Sequence, residues 1–163
     1  MRLLLDTNIL IDYFGERREY YLDAVRLRIA VNFGDVELWA TANSFTDVFY
    51  ILRKDHASKS VQDLFLANKE LIKICSVTSD DIFDSADEKW LDYEDCLIHT
   101  CAKKIKADYI ITRDIDGFLQ STVSCVSPTE FFIELEEKRG ISYAEVFAEV
   151  GHALGVNGGV KVS

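Results

Sequence analysis

Short, almost wholly apolar runs alternate with longer amphipathic stretches along most of this chain, and that rhythm limits the fold more than any other feature. The runs are "LLL" at 3–5, "VELWATA" at 36–42, "LIKICSV" at 71–77, "ADYIIT" at 107–112 and "VSCVS" at 123–127. A strand covered on both faces reads as a continuous apolar run, and parallel strands need crossovers of helix length between them. The stretch "REYYLDAVRLRIAVNF" (18–33) supplies one such crossover: Tyr21, Leu22, Val25, Ile29 and Phe33 form a single helical stripe. Gly34 suits the left-handed cap that ends it. That stripe either packs into the core or receives a partner helix or second subunit.

The same reading places helices over 7–14, 45–54, 58–69, 80–90, 93–106 and 128–139. Asn43 or Ser44 is expected to cap the second of these and Asp92 the fifth, because short polar side chains accept from the free amides of a first turn. Pro128 fits the opening position of the last. Strands alternating with helices define an α/β domain with a mainly parallel sheet. In such folds ligands sit beyond the carboxyl ends of the strands.

The chain has 163 residues, one proline and eight glycines, which suits a single domain without long linkers. No apolar run approaches the ~20 residues that span a bilayer, and no signal-peptide pattern opens the sequence. A soluble, cytoplasmic protein without membrane contact is expected. Cys75, Cys96, Cys101 and Cys125 lack zinc-ligand spacing and read as reduced, buried thiols. A net charge of −10 argues against nucleic-acid binding by bulk charge. It leaves room for a nuclease whose own acidic centre contributes to that count. Two local basic clusters, "RKDHASK" (53–59) and "AKKIKA" (102–107), read as solvated helix faces or as phosphate contacts.

Asp6 follows the first apolar run and Asp114 follows "ADYIIT", so parallel strands would project both at one sheet edge. Asp47 and Asp95 fall near helix starts, which face the same edge. Each has an ordinary reading as a helix-dipole or turn residue. Together they are harder to dismiss. Two carboxylates ~5 Å apart repel by roughly 3 kcal/mol at an effective dielectric near 20. Four gathered carboxylates call for protons or for hard cations such as Mg²⁺ or Mn²⁺. Phosphodiester hydrolysis is the chemistry that uses such a centre. No phosphate-binding Gly-rich loop or nucleophile elbow competes with it.

The stretches "LLLDTNILID" (3–12), "ATANSFTDVFYILRK" (40–54), "DYEDCLIHTCAKKIKADYIITRD" (92–114) and "VSPTEFF" (126–132) resemble PIN domains. They are most similar to the ribonucleases that act as VapC-like toxins in bacterial toxin–antitoxin pairs. The resemblance covers about residues 2–138. It implies a three-layer α/β/α sandwich over 1–139; the amphipathic stretch "SYAEVFAEVGHAL" (142–154) lies outside that pattern and reads, with the tail after it, as a C-terminal helical extension and mobile tail over 140–163. The resemblance also implies an endonuclease that cuts RNA with one or two Mg²⁺ or Mn²⁺ ions. Carried over position by position, the catalytic acids are Asp6, Asp47, Asp95 and Asp114. Asp6, Asp95 and Asp114 would hold the metal, with Asp47 and Asp116 as further candidates. The family more often has Glu where Asp47 stands, so binding there through water is one consequence. Asn8 and Thr112 match auxiliary polar positions. Arg113, Lys54 and Lys103 are candidate RNA contacts. The resemblance further implies a small antitoxin partner and a homodimer.

His99 stands four residues after Asp95 on the same helical face, as a phosphate contact or a packed histidine. His56 and His152 have no supporting pattern. The rival readings are a non-catalytic PIN-like module that binds RNA or protein, and an aspartyl-phosphate enzyme. "LLLDTN" lacks the second aspartate that the dehalogenase-type phosphatases place two residues after the first.

Overall fold

The computed structural model describes residues 1–16 and 20–147. Its apolar runs become five strands: β1 (Arg2–Leu5), β2 (Glu37–Thr41), β3 (Ile72–Cys75), β4 (Tyr109–Ile111) and β5 (Ser124–Val126). They form one sheet in the order β3-β2-β1-β4-β5, and every neighbouring pair is parallel. Between them run α1 (Thr7–Gly15), α2 (Tyr21–Asn32), α3 (Ala42–Leu52), α4 (Ser58–Ala67), α5 (Ser79–Asp87), α6 (Tyr93–Ile105) and α7 (Pro128–Arg139). A 3-10 turn, Asp116–Phe118, lies between β4 and β5.

Central strand β1 explains why its sequence is a continuous apolar run: Leu3, Leu4 and Leu5 are all fully buried. Side chains alternate across a strand. Leu3 and Leu5 therefore join a core with Ile9 and Leu10 of α1, Leu27 of α2, Val48 of α3 and Phe131 of α7. Leu4 faces the other way, onto Ile98, Cys101 and Ala102 of α6 with Ile110 and Phe118. Helices thus cover both faces, and the architecture is the expected α/β/α sandwich. The register pairs Leu5 with Ile111, and the Asp6 amide donates to the Ile111 carbonyl at 3.0 Å. The next residues along the two strands, Asp6 and Thr112, are therefore neighbours at the carboxyl edge.

Local chemistry fixes the starts of α6 and α7, where Asp92 and Pro128 were expected. Asp92 caps α6, accepting from the amides of Glu94 and Asp95. Ser127 and Glu130 form a reciprocal capping box on α7, with Pro128 at its start. One start differs. The cap of α3 is Thr41, whose hydroxyl accepts from the Ser44 amide at 3.0 Å, not Asn43 or Ser44. The helix begins at Ala42, so Asp47 lies in its second turn rather than its first. The 18–33 stripe is also rotated slightly. Val25 and Ile29 are buried together with Ala24, Leu27 and Ala30, whereas Phe33 sits past the helix end, 62% exposed.

Beyond the Gly140 cap, Ile141, Tyr143, Val146 and Phe147 pack against the core that Leu3 and Leu5 join, Tyr143 beside the Phe33 and Phe132 rings and Phe147 beneath the Arg26 guanidinium. The Tyr143 hydroxyl donates to Asp35 at 2.6 Å. Residues 144–147 are helical. The rest of the expected 142–154 helix, His152 and the tail lie outside the described residues. The four cysteines are free thiols, and all but Cys125 are buried. Among the described residues no helix is long and apolar enough to cross a membrane.

Candidate active site

The end of β1 carries Asp6 into the carboxyl edge with only 4% of its surface exposed. Its Oδ2 accepts from the Thr112 hydroxyl at 2.6 Å and from the Asn8 side-chain amide. Thr112 is fully buried, and its Oγ1 also accepts from the Asp114 amide at 2.9 Å. Asn8 reaches the same loop from α1, accepting the Arg113 amide at 3.3 Å. Both auxiliary polar positions expected from the sequence thus touch the first acid or the loop that bears the last.

Asp95 is the third residue of α6, held where the Asp92 cap orients the first turn. Gly117 shows how near Asp114 comes to it. A β-carbon at position 117 would lie 2.3 Å from Asp95 Oδ2 and 3.2 Å from Asp114 Oδ2. No real β-carbon tolerates the first distance, so any residue but glycine there would force the Asp95 carboxylate to shift. The Gly117 amide donates to Asp114 Oδ1 at 3.2 Å.

Crowding leaves an electrostatic mark. Burial, with a further push from the Glu94 charge, raises the Asp6 carboxyl to about 6 although the Thr112 hydroxyl pulls the other way. Asp95 is raised to about 7, first by burial and then by the negative charges of Asp6, Asp92, Asp114 and Glu94. A folded chain keeps such frustrated acids where function needs them more often than where packing does.

Glu94, to which no sequence feature assigned a role, also belongs to this edge. Its Oε1 accepts from the Thr7 hydroxyl, which is 2.9 Å from the Ser44 hydroxyl; that in turn lies 2.8 Å from Thr41 Oγ1. The chain of hydroxyls ties the starts of α1, α3 and α6 together at the sheet edge. The available signal was the cap pattern Thr41-Ala42-Asn43-Ser44 beside a run of acids at 92–95.

The other sequence candidates fall differently. Asp47 is half-buried one turn beyond Ser44, and among the described residues none of the bonds that knit Asp6, Thr112 and Asp114 reaches it. Asp116 is exposed at the head of the 3-10 turn. Arg113 is at the site, but its Nε pairs with Asp12 Oδ2 at 2.9 Å and its guanidinium lies 4.0 Å from the centre of the Tyr20 ring. Lys103 lies about 12 Å further along α6 than Asp95 and pairs with Glu88 at 3.5 Å. Lys54 follows the far end of α3. Both helices start at the carboxyl edge and run away from it, so the structure does not bring these lysines to the acids. His99 is 2% exposed, stacks on Trp90 with ring centres 5.0 Å apart, and places Nδ1 3.1 Å from Ser121 Oγ. Burial lowers its pKa; it is the packed histidine, not the phosphate contact.

Among the described residues, no three His, Cys, Asp or Glu side chains stand within one coordination sphere. The donor set is nevertheless all carboxylate and hydroxyl oxygen, the preference of hard divalent cations. Its charge is the kind a cation relieves.

A doubly covered parallel sheet with acids at its carboxyl edge defines the class, and the pattern that describes the PIN domain matches residues 2–116. The chain belongs to the PIN domain family. Among characterised relatives, Ribonuclease VapC1 of Aquifex aeolicus (strain VF5) is 26% identical over 144 residues, covering 80% of this chain and 92% of that protein. Among solved structures, the crystal structure of VapBC2 from Rickettsia felis bound to a DNA fragment from their promoter is similar with a TM-score of 0.59. It is 15% identical and covers 78% of this chain and 98% of its own. At that identity the likeness is one of fold.

Proposed function

We propose that this protein is a metal-dependent endoribonuclease and the toxin of a toxin–antitoxin pair, with Asp6, Asp95 and Asp114 holding Mg²⁺ or Mn²⁺. The observation that carries the reading is the meeting of Asp95 and Asp114 at Gly117, beside an Asp6 bonded through Thr112 to the Asp114 loop. The relationship to a protein named as a ribonuclease supports the same chemistry. A bound cation would supply an acidified water and neutralise charge on the leaving oxygen. The chain does the rest. The Thr112 hydroxyl fixes the Asp6 carboxylate, the Asp92 cap fixes the α6 turn that presents Asp95, and Gly117 leaves room between the acids. Asp47 and Asp116 are the further carboxylates that a cation could recruit, directly or through water.

On this reading the protein works in the cytoplasm beside its RNA, as a homodimer, and a small antitoxin protein silences it by covering the acidic edge. The VapBC2 structure, named for a toxin–antitoxin complex on promoter DNA, supports the partnership. The test is cleavage of tRNA, rRNA and single-stranded oligonucleotides by the purified protein with Mg²⁺ or Mn²⁺. Cutting should stop in EDTA and in Asp6→Asn. Cutting that persists in both would assign the activity to a contaminant.

A further inference from the structure

We propose that the ion pair between buried Asp12 and the partly exposed Arg113 is a positioning device for Asp6 and Asp114, so that Arg113 serves the reaction by holding the site rather than by touching RNA. The proposal rests on the nuclease reading above.

Asn8 and Asp12 are four residues apart on α1 and share one face. Both grip residue 113. Asn8 Oδ1 accepts its amide at 3.3 Å, and Asp12 Oδ2 meets its Nε at 2.9 Å. The residues on either side of Arg113 belong to the site. Thr112 donates to Asp6, and Asp114 is the acid that meets Asp95 at Gly117. Thr112 and Arg113 are therefore fastened to Asp6 and to the helix that begins directly after it, and Asp114 follows them, its amide held by Thr112. A shift of Arg113 moves its neighbours against the first acid.

Arg113 is poorly placed to leave this role. Asp12 is 3% exposed, and its carboxylate holds the guanidinium from two sides, Oδ2 at 2.9 Å from Nε and Oδ1 at 3.5 Å from an Nη. The Tyr20 ring beneath the guanidinium holds it further. Neither link is visible in the sequence, where Asp12 looks like one polar residue inside an apolar helix.

Asp12→Asn, Arg113→Gln, their double variant and Arg113→Lys test the proposal. Each single neutral variant should lower kcat ~10- to 100-fold, as loss of a residue supporting metal ligands does. KM for RNA should change by less than about threefold, since no substrate contact is lost. The double variant, which removes both charges of the pair, should lose no more than the worse single. Arg113→Lys should fall between wild type and Arg113→Gln, because lysine keeps the charge without the planar fork. Amide exchange at Asp114 should accelerate in the neutral variants.

A rise in KM at unchanged kcat in Arg113→Gln, with Asp12→Asn behaving as wild type, would overturn the proposal and make Arg113 an RNA contact. If the wild-type protein cuts no RNA, the nuclease reading fails separately. The exchange measurement then decides alone, and an unchanged Asp114 amide in Asp12→Asn would overturn the positioning role.

Discussion

Thr112 and Asp6 meet across neighbouring parallel strands, the buried hydroxyl donating to the carboxylate at 2.6 Å while its oxygen accepts the Asp114 amide. One hydroxyl therefore serves both ends of the acidic edge. Thr112→Val keeps the shape and removes both bonds. It leaves the Asp114 amide without that acceptor, a loss of about 1–3 kcal/mol if no water replaces it. It also raises the Asp6 carboxyl further, since the hydroxyl is the largest of the influences that lower it. The expected result is a ~10- to 100-fold loss of cleavage with a folded protein by circular dichroism. Full activity in Thr112→Val would remove the hydroxyl from the site.

Gly117 makes the contact between Asp95 and Asp114 possible. Gly117→Ala should push Asp95 Oδ2 away and reduce cleavage about tenfold or more. The 3-10 turn is short and close to the surface, so the far-UV spectrum should stay unchanged. Equal kcat in wild type and Gly117→Ala would show that the Asp95–Asp114 spacing is not critical.

The raised acids give the metal-free protein an unusual pH response. Asp6 titrates at about 6 and Asp95 at about 7 when folded, against 3.8 for an ordinary aspartate. Between these limits the folded chain holds protons that the unfolded chain has released. Stability in EDTA should therefore fall as pH rises from about 4 to about 7, then level off. Asp95→Asn should flatten the fall and melt higher than wild type at pH 8. Saturating Mn²⁺ should restore the wild type, because the cation binds the ionised form. A wild-type melting temperature that climbs across the same window would contradict the crowding.

Asp92 supplies a separate test of how α6 presents Asp95. Its carboxylate accepts the Glu94 amide at 2.8 Å and the Asp95 amide at 3.4 Å. Asp92→Ala should cost about 1 kcal/mol as a lost cap. Asp92→Ser should retain most of that stability, read by urea unfolding. Equal losses in both would mean the cap does not hold the turn.

The layers, the cap of α6 and the start of α7 were legible because local chemistry alone determines them: continuous apolar runs, Asp92, and Pro128. The start of α3 was misread because Asn43 and Ser44 are themselves good caps. What makes Thr41 the cap is the Ser44 amide's bond to its hydroxyl, which no sequence pattern singles out. Asp6, Asp95 and Asp114 followed from the rule that strand ends and helix starts share one edge. Lys54 and Lys103 could have been placed away from that edge by the same rule, since helices leaving it carry their later residues off. The Asp12–Arg113 and Thr7–Glu94 pairs were hidden by sequence separation, and no periodicity announces a contact made only when two loops close.

The most direct measurement of the central claim is Mn²⁺ titration of the pure protein by calorimetry at pH 8, run beside RNA cleavage on the same samples. Asp6, Asp95 and Asp114 form the cation site if wild type binds Mn²⁺ and cuts RNA, and Asp95→Asn weakens both together. Wild-type cleavage without Mn²⁺ binding, or Asp95→Asn binding and cutting as wild type does, would contradict it.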